Sequence, residues 1–238
     1  MAHVLLTKPA KPEAPRSVLP RSIRTPVLEN GDRLTVLEFM RRYEGMSGVR
    51  KAQLIEGSVH MPSPVRADAH AEPDGLIQGW LFLYSIGHPD LKIYPNATLI
   101  MDADNAVQPD AIMCSRPHAG GRVWLDDKGY LHGSPEMVCE IAASSASIDL
   151  HSKFQAYRRN GVLEYVVWLT DEKTVRWFHL EEGNFVEQKA KGGLLASRTF
   201  EGLVLDVKAL LRGDKVKLAA TLTACQAPKP DQAVSPRR

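Results

Sequence analysis

Apolar positions along the chain recur at helical spacing in some stretches and alternate in others, and the changes between the two divide it into elements. In LTVLEFMRRYEG, Thr35 and Glu38 have the spacing of a capping box and Leu34 and Phe39 that of a hydrophobic staple, so a helix begins there and Gly45 ends it. KAQLIEGSVHM reads as two short strands around a Glu56-Gly57 turn. After Pro62 and Pro64, a segment from about His70 to Ile86 is helical, with Pro73 near its start. LKIYPNATLIMD and AVQPDAIMC are strands joined by Asp104-Asn105, and a looser stretch containing Gly120, Gly121 and Gly129 follows. EMVCEIA is a strand, and a helix over about Ser147 to Arg159 ends at Asn160-Gly161. EYVVWL, TVRWFHL and NFVEQK are three further strands, and GLVLDVKALL is a last short strand and helix. The expected fold is α+β, one mixed central sheet flanked by helices.

Composition adds the boundaries. Eight of the sixteen prolines lie in residues 1–30 and 212–238, where apolar periodicity is weak, so flexible basic tails are expected over 1–30 and 214–238 around one domain at 31–213. The overall charge of +2 conceals an uneven distribution: residues 31–211 hold 19 basic and 24 acidic side chains, net −5. Global basicity is therefore no argument for binding nucleic acid. No run approaches the roughly 18 to 20 apolar residues of a membrane helix, and no secretory apolar region opens the chain. Cys114, Cys139 and Cys225 are odd in number and never in CxxC spacing, so neither a disulfide framework nor a cysteine zinc site is suggested. These features imply a cytoplasmic protein without a membrane partner.

The unusual position is Glu140. In an extended EMVCEIA, Met137, Cys139 and Ile141 face one side and Val138, Glu140 and Ala142 the other, so both faces are apolar apart from Glu140. Burying a carboxylate there costs on the order of several kcal/mol unless it is paired or bound to a metal. Asp110, in QPDAIMC, has a similar place at the entry of a strand. Two carboxylates on neighbouring strands can hold a hard ion such as Mg²⁺ or Mn²⁺. Lys153, at the edge of the Leu150-Phe154-Tyr157 stripe, can reach back over the strand end. The plain alternative is an i, i+4 pair of Asp149 and Lys153, worth about 0.3 to 0.5 kcal/mol, and under either reading Lys153→Ala is expected to leave stability nearly unchanged. Two acids and a lysine are the set that metal-dependent phosphodiester hydrolysis needs.

In this order, QLIEGSVHMPSP, the QPD at 108–110, PEMVCEIAASSASIDLHSKFQAYRRNGVLEYVVW and the closing strand pairs resemble the Uma-two-type family of restriction-endonuclease-like proteins in the PD-(D/E)XK nuclease superfamily, over about residues 33–211. The resemblance implies a restriction-endonuclease-like core and an endonuclease, a hydrolase of ester bonds acting on DNA, with a homodimer as a further candidate assembly. It implies Asp110 and Glu140 as ligands of Mg²⁺ or Mn²⁺, the Ile141 carbonyl as an extra ligand and Lys153 as the catalytic amine, displaced from the strand to the helix. His70 resembles a family position near the cleft. The chain departs from the family at Gln53, where a glutamate is usual. Gln53 can offer a carbonyl oxygen to a metal-bound water but brings no charge, and Glu56 is the other candidate from the first hairpin.

Other chemistries lack their patterns. His60, His70, His118, His132 and His151 form neither HxxxH nor HExxH, Cys139 sits among apolar neighbours, and Ser144 and Ser145 lack a GxSxG elbow. The rival to an enzyme is a nuclease fold weakened in catalysis and serving as a nucleic-acid-binding or protein-interaction module, with Gln53 as its mark.

Overall fold

The computed structural model of the chain describes residues 25–46, 48, 51–61, 66–143 and 145–226. Of the expected tails, 1–30 and 214–238, residues 1–24 and 227–238 lie outside the described residues, as do Pro62, Pro64 and Ser144, whereas Leu28 is buried against Phe39 and Leu54 and belongs to the folded part. Helix α1 (Val36–Glu44) begins as its capping signals require, with the Glu38 N–H donating to Thr35 Oγ1 at 3.4 Å. Strands β1 (Gln53–Ile55) and β2 (Ser58–His60) form a hairpin whose turn residues Glu56 and Gly57 both have positive φ, 51° and 71°. A π-helical turn, Ala67–Ala71, then runs into α2 (Glu72–Ser85), which carries Pro73 in its first turn.

The remaining elements are β3 (Leu91–Pro95), β4 (Leu99–Ile100), β5 (Ala106–Val107), β6 (Ala111–Ser115), β7 (Val123–Leu125), β8 (Leu131–Gly133), β9 (Met137–Ala142), α3 (Ala146–Leu150), α4 (Ser152–Arg159), β10 (Glu164–Leu169), β11 (Thr174–Glu181), β12 (Asn184–Glu187), β13 (Leu194–Ala196), β14 (Val204–Asp206), α5 (Val207–Leu211) and α6 (Lys215–Gln226). The central sheet runs β12-β11-β10-β9-β6-β3, antiparallel except for the parallel pair β9 and β10 that the α3–α4 crossover connects. The architecture is thus α+β with a mixed central sheet flanked by helices, as the pattern predicts.

Strand β9 is buried along all six residues, and its alternation splits between two cores. Met137, Cys139 and Ile141 pack with Trp80 and Leu81 of α2, Trp177 and the α6 leucines. Val138 and Ala142 pack on the other face with Tyr157, Tyr165, Ile55 and Leu99. Glu140 shares that second face, under α4.

Four expectations are corrected. Among the described residues there are two six-stranded sheets rather than one, because the first hairpin pairs Leu54 with Ala106 and so builds a separate sheet, β2-β1-β5-β4-β8-β7; β13 and β14 add a ribbon. The stretch read as loose supplies β7 and β8, whose three residues each are too short for alternation to show. The single helix over Ser147–Arg159 is broken at His151, whose backbone (φ −122°, ψ −82°) is not helical. Residues 215–226, expected to belong to a flexible tail, form α6. Leu218 and Leu222 share its inner face at i, i+4, and Asp214 Oδ1 caps it by accepting the Lys217 N–H at 2.9 Å. Proline content and charge dominated the reading of that segment and hid its short apolar stripe.

The buried face of α6 generates a prediction. Leu222 is fully buried against the α2 side of the core, so Leu222→Ala should lower the free energy of unfolding by about 2 to 5 kcal/mol. Urea unfolding measures it, and a change within about 0.5 kcal/mol would mean that α6 is not part of the folded unit.

Candidate active site

The β6–β9 pairing sets Ala111 opposite Cys139, so Asp110, one residue before β6, lies beside Glu140. Both are nearly buried. Asp110 is gripped from several sides: its Oδ2 accepts the Ile141 N–H at 2.8 Å, and its backbone carbonyl accepts from Gln78 Nε2 at 2.7 Å. Its other oxygen, Oδ1, is 3.3 Å from His70 Nε2 and 3.7 Å from Lys51 Nζ. Burial alone would raise the Asp110 carboxyl, but the His70 contact and the Ile141 N–H outweigh it and hold the group below its ordinary value. The same contact holds His70 above its ordinary value against the effect of burial. His70 reaches the cleft from the π-helical turn before α2, a local form often found at functional sites.

Glu140 has a different environment. Its Oε1 accepts from Lys153 Nζ at 2.9 Å and from the Tyr157 O–H at 2.7 Å, two groups one turn apart on α4. Lys153 Nζ is also 3.1 Å from Asp149 Oδ1, and Asp149 Oδ2 accepts the Ser145 O–H at 2.6 Å. The Tyr165 O–H donates to the Asp149 carbonyl at 2.9 Å beside the break at His151. Burial pushes the Glu140 carboxyl up to about 7, with Lys153 and Tyr157 opposing the rise and the charges of Asp149 and Asp110 adding to it. Burial would lower the Lys153 ammonium, yet Glu140 and Asp149 together hold it above its ordinary value. The expectation that Lys153→Ala is nearly neutral for stability is therefore corrected: Asp149 and Lys153 are both buried, and the lysine is the counter-ion that Glu140 requires.

Asp110, Glu140, Ile141, Gln53, His70 and Lys153 all line one cleft of about 360 Å³. The Ile141 side chain belongs to the α2 core, so its contribution to the cleft is backbone. Gln53 is present, but its Oε1 accepts the Gln108 N–H at 3.0 Å and so ties β1 to the residue following β5. Glu56 is not among the residues that line the cleft and instead makes a two-point ion pair with Arg159 at 2.7 and 2.8 Å. Among the described residues, no three His, Cys, Asp or Glu side chains gather into a ready metal cluster. The donors present, two carboxylates and a backbone carbonyl, fit a water-rich Mg²⁺ or Mn²⁺ site, because Mg²⁺ keeps several waters and needs only one or two carboxylates.

Three participants were missed in the sequence. Lys51 precedes β1 in a segment without a motif, Gln78 is a polar residue on α2 with no pattern of its own, and Tyr157 was counted only as apolar. Its place four residues after Lys153 was the available signal for a hydroxyl aimed at the same carboxylate.

These geometries generate a stability prediction. Lys153→Ala leaves Glu140 and Asp149 without their ammonium, so it should cost about 3 to 5 kcal/mol, and adding Glu140→Gln should recover part of the loss. A carboxyl whose pKa is raised on folding, here from 4.5 to about 7, contributes stability that is fully present below 4.5 and is lost as pH rises through about 7. Without the ammonium that rise is larger, so the deficit of Lys153→Ala should shrink on acidification below pH ~6. Denaturant unfolding at several pH values tests it; a deficit below 1 kcal/mol at every pH would contradict the buried pairing.

Residues 37–208 match the model of the family Uma2, described as "Putative restriction endonuclease". Among solved structures, one from Anabaena variabilis ATCC 29413, described as a "putative nuclease belonging to DUF820", superposes with a TM-score of 0.59 over 75% of this chain and 98% of that one. The two are 15% identical, so this likeness concerns the fold alone. No curated protein matches in sequence. The family match covers most of the chain and agrees with a mixed sheet that sets Asp110 beside Glu140, and the chain belongs to the Uma2 family, within the PD-(D/E)XK type of nuclease fold.

Proposed function

We infer that the chain is a metal-dependent endonuclease that hydrolyses phosphodiester bonds of nucleic acid, DNA in particular, with Mg²⁺ or Mn²⁺. The observation that carries this reading is the meeting, in one cleft, of two buried carboxylates from adjacent strands with an ammonium 2.9 Å from one of them. Asp110 and Glu140 would hold the ion, with the Ile141 carbonyl as a further ligand. When bound, the ion lowers the pKa of water and offsets charge developing on the phosphate. The Ile141 N–H fixes Asp110, and the Tyr157 hydroxyl fixes Glu140. Lys153, as the catalytic amine, keeps a positive charge at the floor of the cleft, where it orients the attacking water.

A second reading draws on Gln53. Its oxygen is engaged by Gln108, and it supplies no charge where the resembled family has a glutamate, which favours a nucleic-acid-binding module with weakened catalysis.

The two readings separate by experiment. For the enzyme, Mn²⁺ should raise the unfolding temperature and support cleavage of single-stranded, double-stranded or structured substrates. Asp110→Asn and Glu140→Gln should each remove both effects. Lys153→Arg, which keeps a cation between the carboxylates, should retain the Mn²⁺ response and lose cleavage by roughly two orders of magnitude when assayed below its unfolding midpoint. Wild-type protein without a divalent-ion response or cleavage would leave the binding module.

The pH dependence of ion binding follows from Glu140. Its carboxyl, raised to about 7, must lose a proton before it can serve as a ligand. Mn²⁺ affinity should therefore increase as pH rises through about 7, with proton release detectable by calorimetry in buffers of different ionisation enthalpy. Affinity that is flat across that range would remove Glu140 from the ligand set.

A further inference from the structure

The ammonium of Lys153, assigned above to the attacking water, is poorly placed to reach the phosphate backbone of a substrate as well. Its side chain is only 6% exposed, and Glu140 and Asp149 both lie within 3.1 Å of it. Lys51, in the same cleft, is 27% exposed and stands 3.7 Å from Asp110 Oδ1. Its position is fixed by a short relay: the Asn96 N–H donates to the Asp110 carbonyl at 3.1 Å, and Asn96 Oδ1 accepts from Lys51 Nζ at 3.1 Å. Asn96 holds a left-handed backbone (φ 51°), which asparagine tolerates better than most residues. An ammonium has three N–H donors, so one bond to Asn96 and an electrostatic approach to Asp110 leave capacity directed to the cleft. His70, 22% exposed, lies 3.3 Å from the same Asp110 oxygen.

We propose that Lys51 is a substrate-contacting residue that binds a backbone phosphate of the nucleic acid at the mouth of the cleft, while Lys153 stays beneath it with Glu140 and the attacking water. The inference rests on the nuclease reading of the cleft and deepens it by dividing the work of two lysines. Charge supports the division. Residues 31–211 are net −5, so a polyanion is drawn to this cleft by local cations and not by the domain as a whole. Lys51, Arg66 and His70 line the cleft with positive or protonatable groups, and Lys51 is the exposed ammonium among them, 3.7 Å from the Asp110 carboxylate that would hold the ion.

The test is binding of the full chain to a fluorescently labelled DNA duplex, followed by anisotropy over a range of NaCl concentrations, in EDTA and again at fixed Ca²⁺. Each phosphate contact contributes about 0.9 to the slope of log affinity against log salt. Lys51→Gln should bind more weakly to every duplex, with its slope reduced by about 0.9, and Lys51→Arg should restore it. Lys128→Gln, which breaks a surface pair with Glu44, should keep the wild-type slope. Lys51→Gln should not lose the Mn²⁺-induced thermal shift, as it would if Lys51 only supported Asp110. A wild-type slope in Lys51→Gln, or no duplex binding by the wild type in either buffer, overturns the proposal. Lys51-dependent binding without Mn²⁺-dependent cleavage sinks the hydrolytic reading and leaves this one standing. Cleavage that is indifferent to Lys51 in KM and in salt dependence does the reverse.

Discussion

The structure depends on keeping one carboxylate charged or protonated in a place with little water. Glu140 lies on the central strand β9, covered on both faces, and needs a cation and a hydroxyl donor brought to it. Lys153 and Tyr157 do this from successive turns of α4, which fixes the rotation of that helix on the sheet. Asp149, on α3, then approaches the same ammonium, and the chain breaks at His151 between the two helices. The crossover that makes β9 and β10 parallel neighbours is thus also the element that neutralises Glu140.

Asp110 and Glu140 are neighbours with opposite tendencies. Asp110 receives a backbone N–H and a histidine and is held below its ordinary pKa, whereas Glu140, deeper and flanked by other acids, is raised to about 7. Environments that push paired carboxyls apart are a common feature of functional sites. Buried ionic clusters of this kind are often no more stable than apolar packing of the same volume. Their presence on the central strand is thus better explained by the chemistry of the cleft than by the stability of the fold.

Much of this was legible along the chain. Glu140 was recognisable because it alone interrupts an alternating apolar strand, and Asp110 because a proline marks the strand entry just before it. The Thr35 cap, the Glu56-Gly57 turn and the β10–β12 meander followed from local chemistry that needs no distant partner. The short strands β7 and β8 were harder, since three residues give no period, and the pairing of β8 with β4 joins residues remote in sequence. Lys51 and Gln78 carried no signal, because a lone polar residue acquires a role only from what the fold sets beside it.

The sequence by itself determined the longer elements, the two apolar faces of β9 and the identity of the groups available for chemistry, since these follow from backbone preference and from periodicity within a few residues. The tertiary structure alone decided which cation Glu140 meets, that Lys153 is buried while Lys51 faces the cleft, that Gln53 bonds to Gln108 and Glu56 to Arg159, and that the hairpin builds a second sheet. The reason is physical. Desolvation and Coulombic attraction act between groups brought within a few ångströms from positions tens of residues apart, and local pattern carries no measure of that distance.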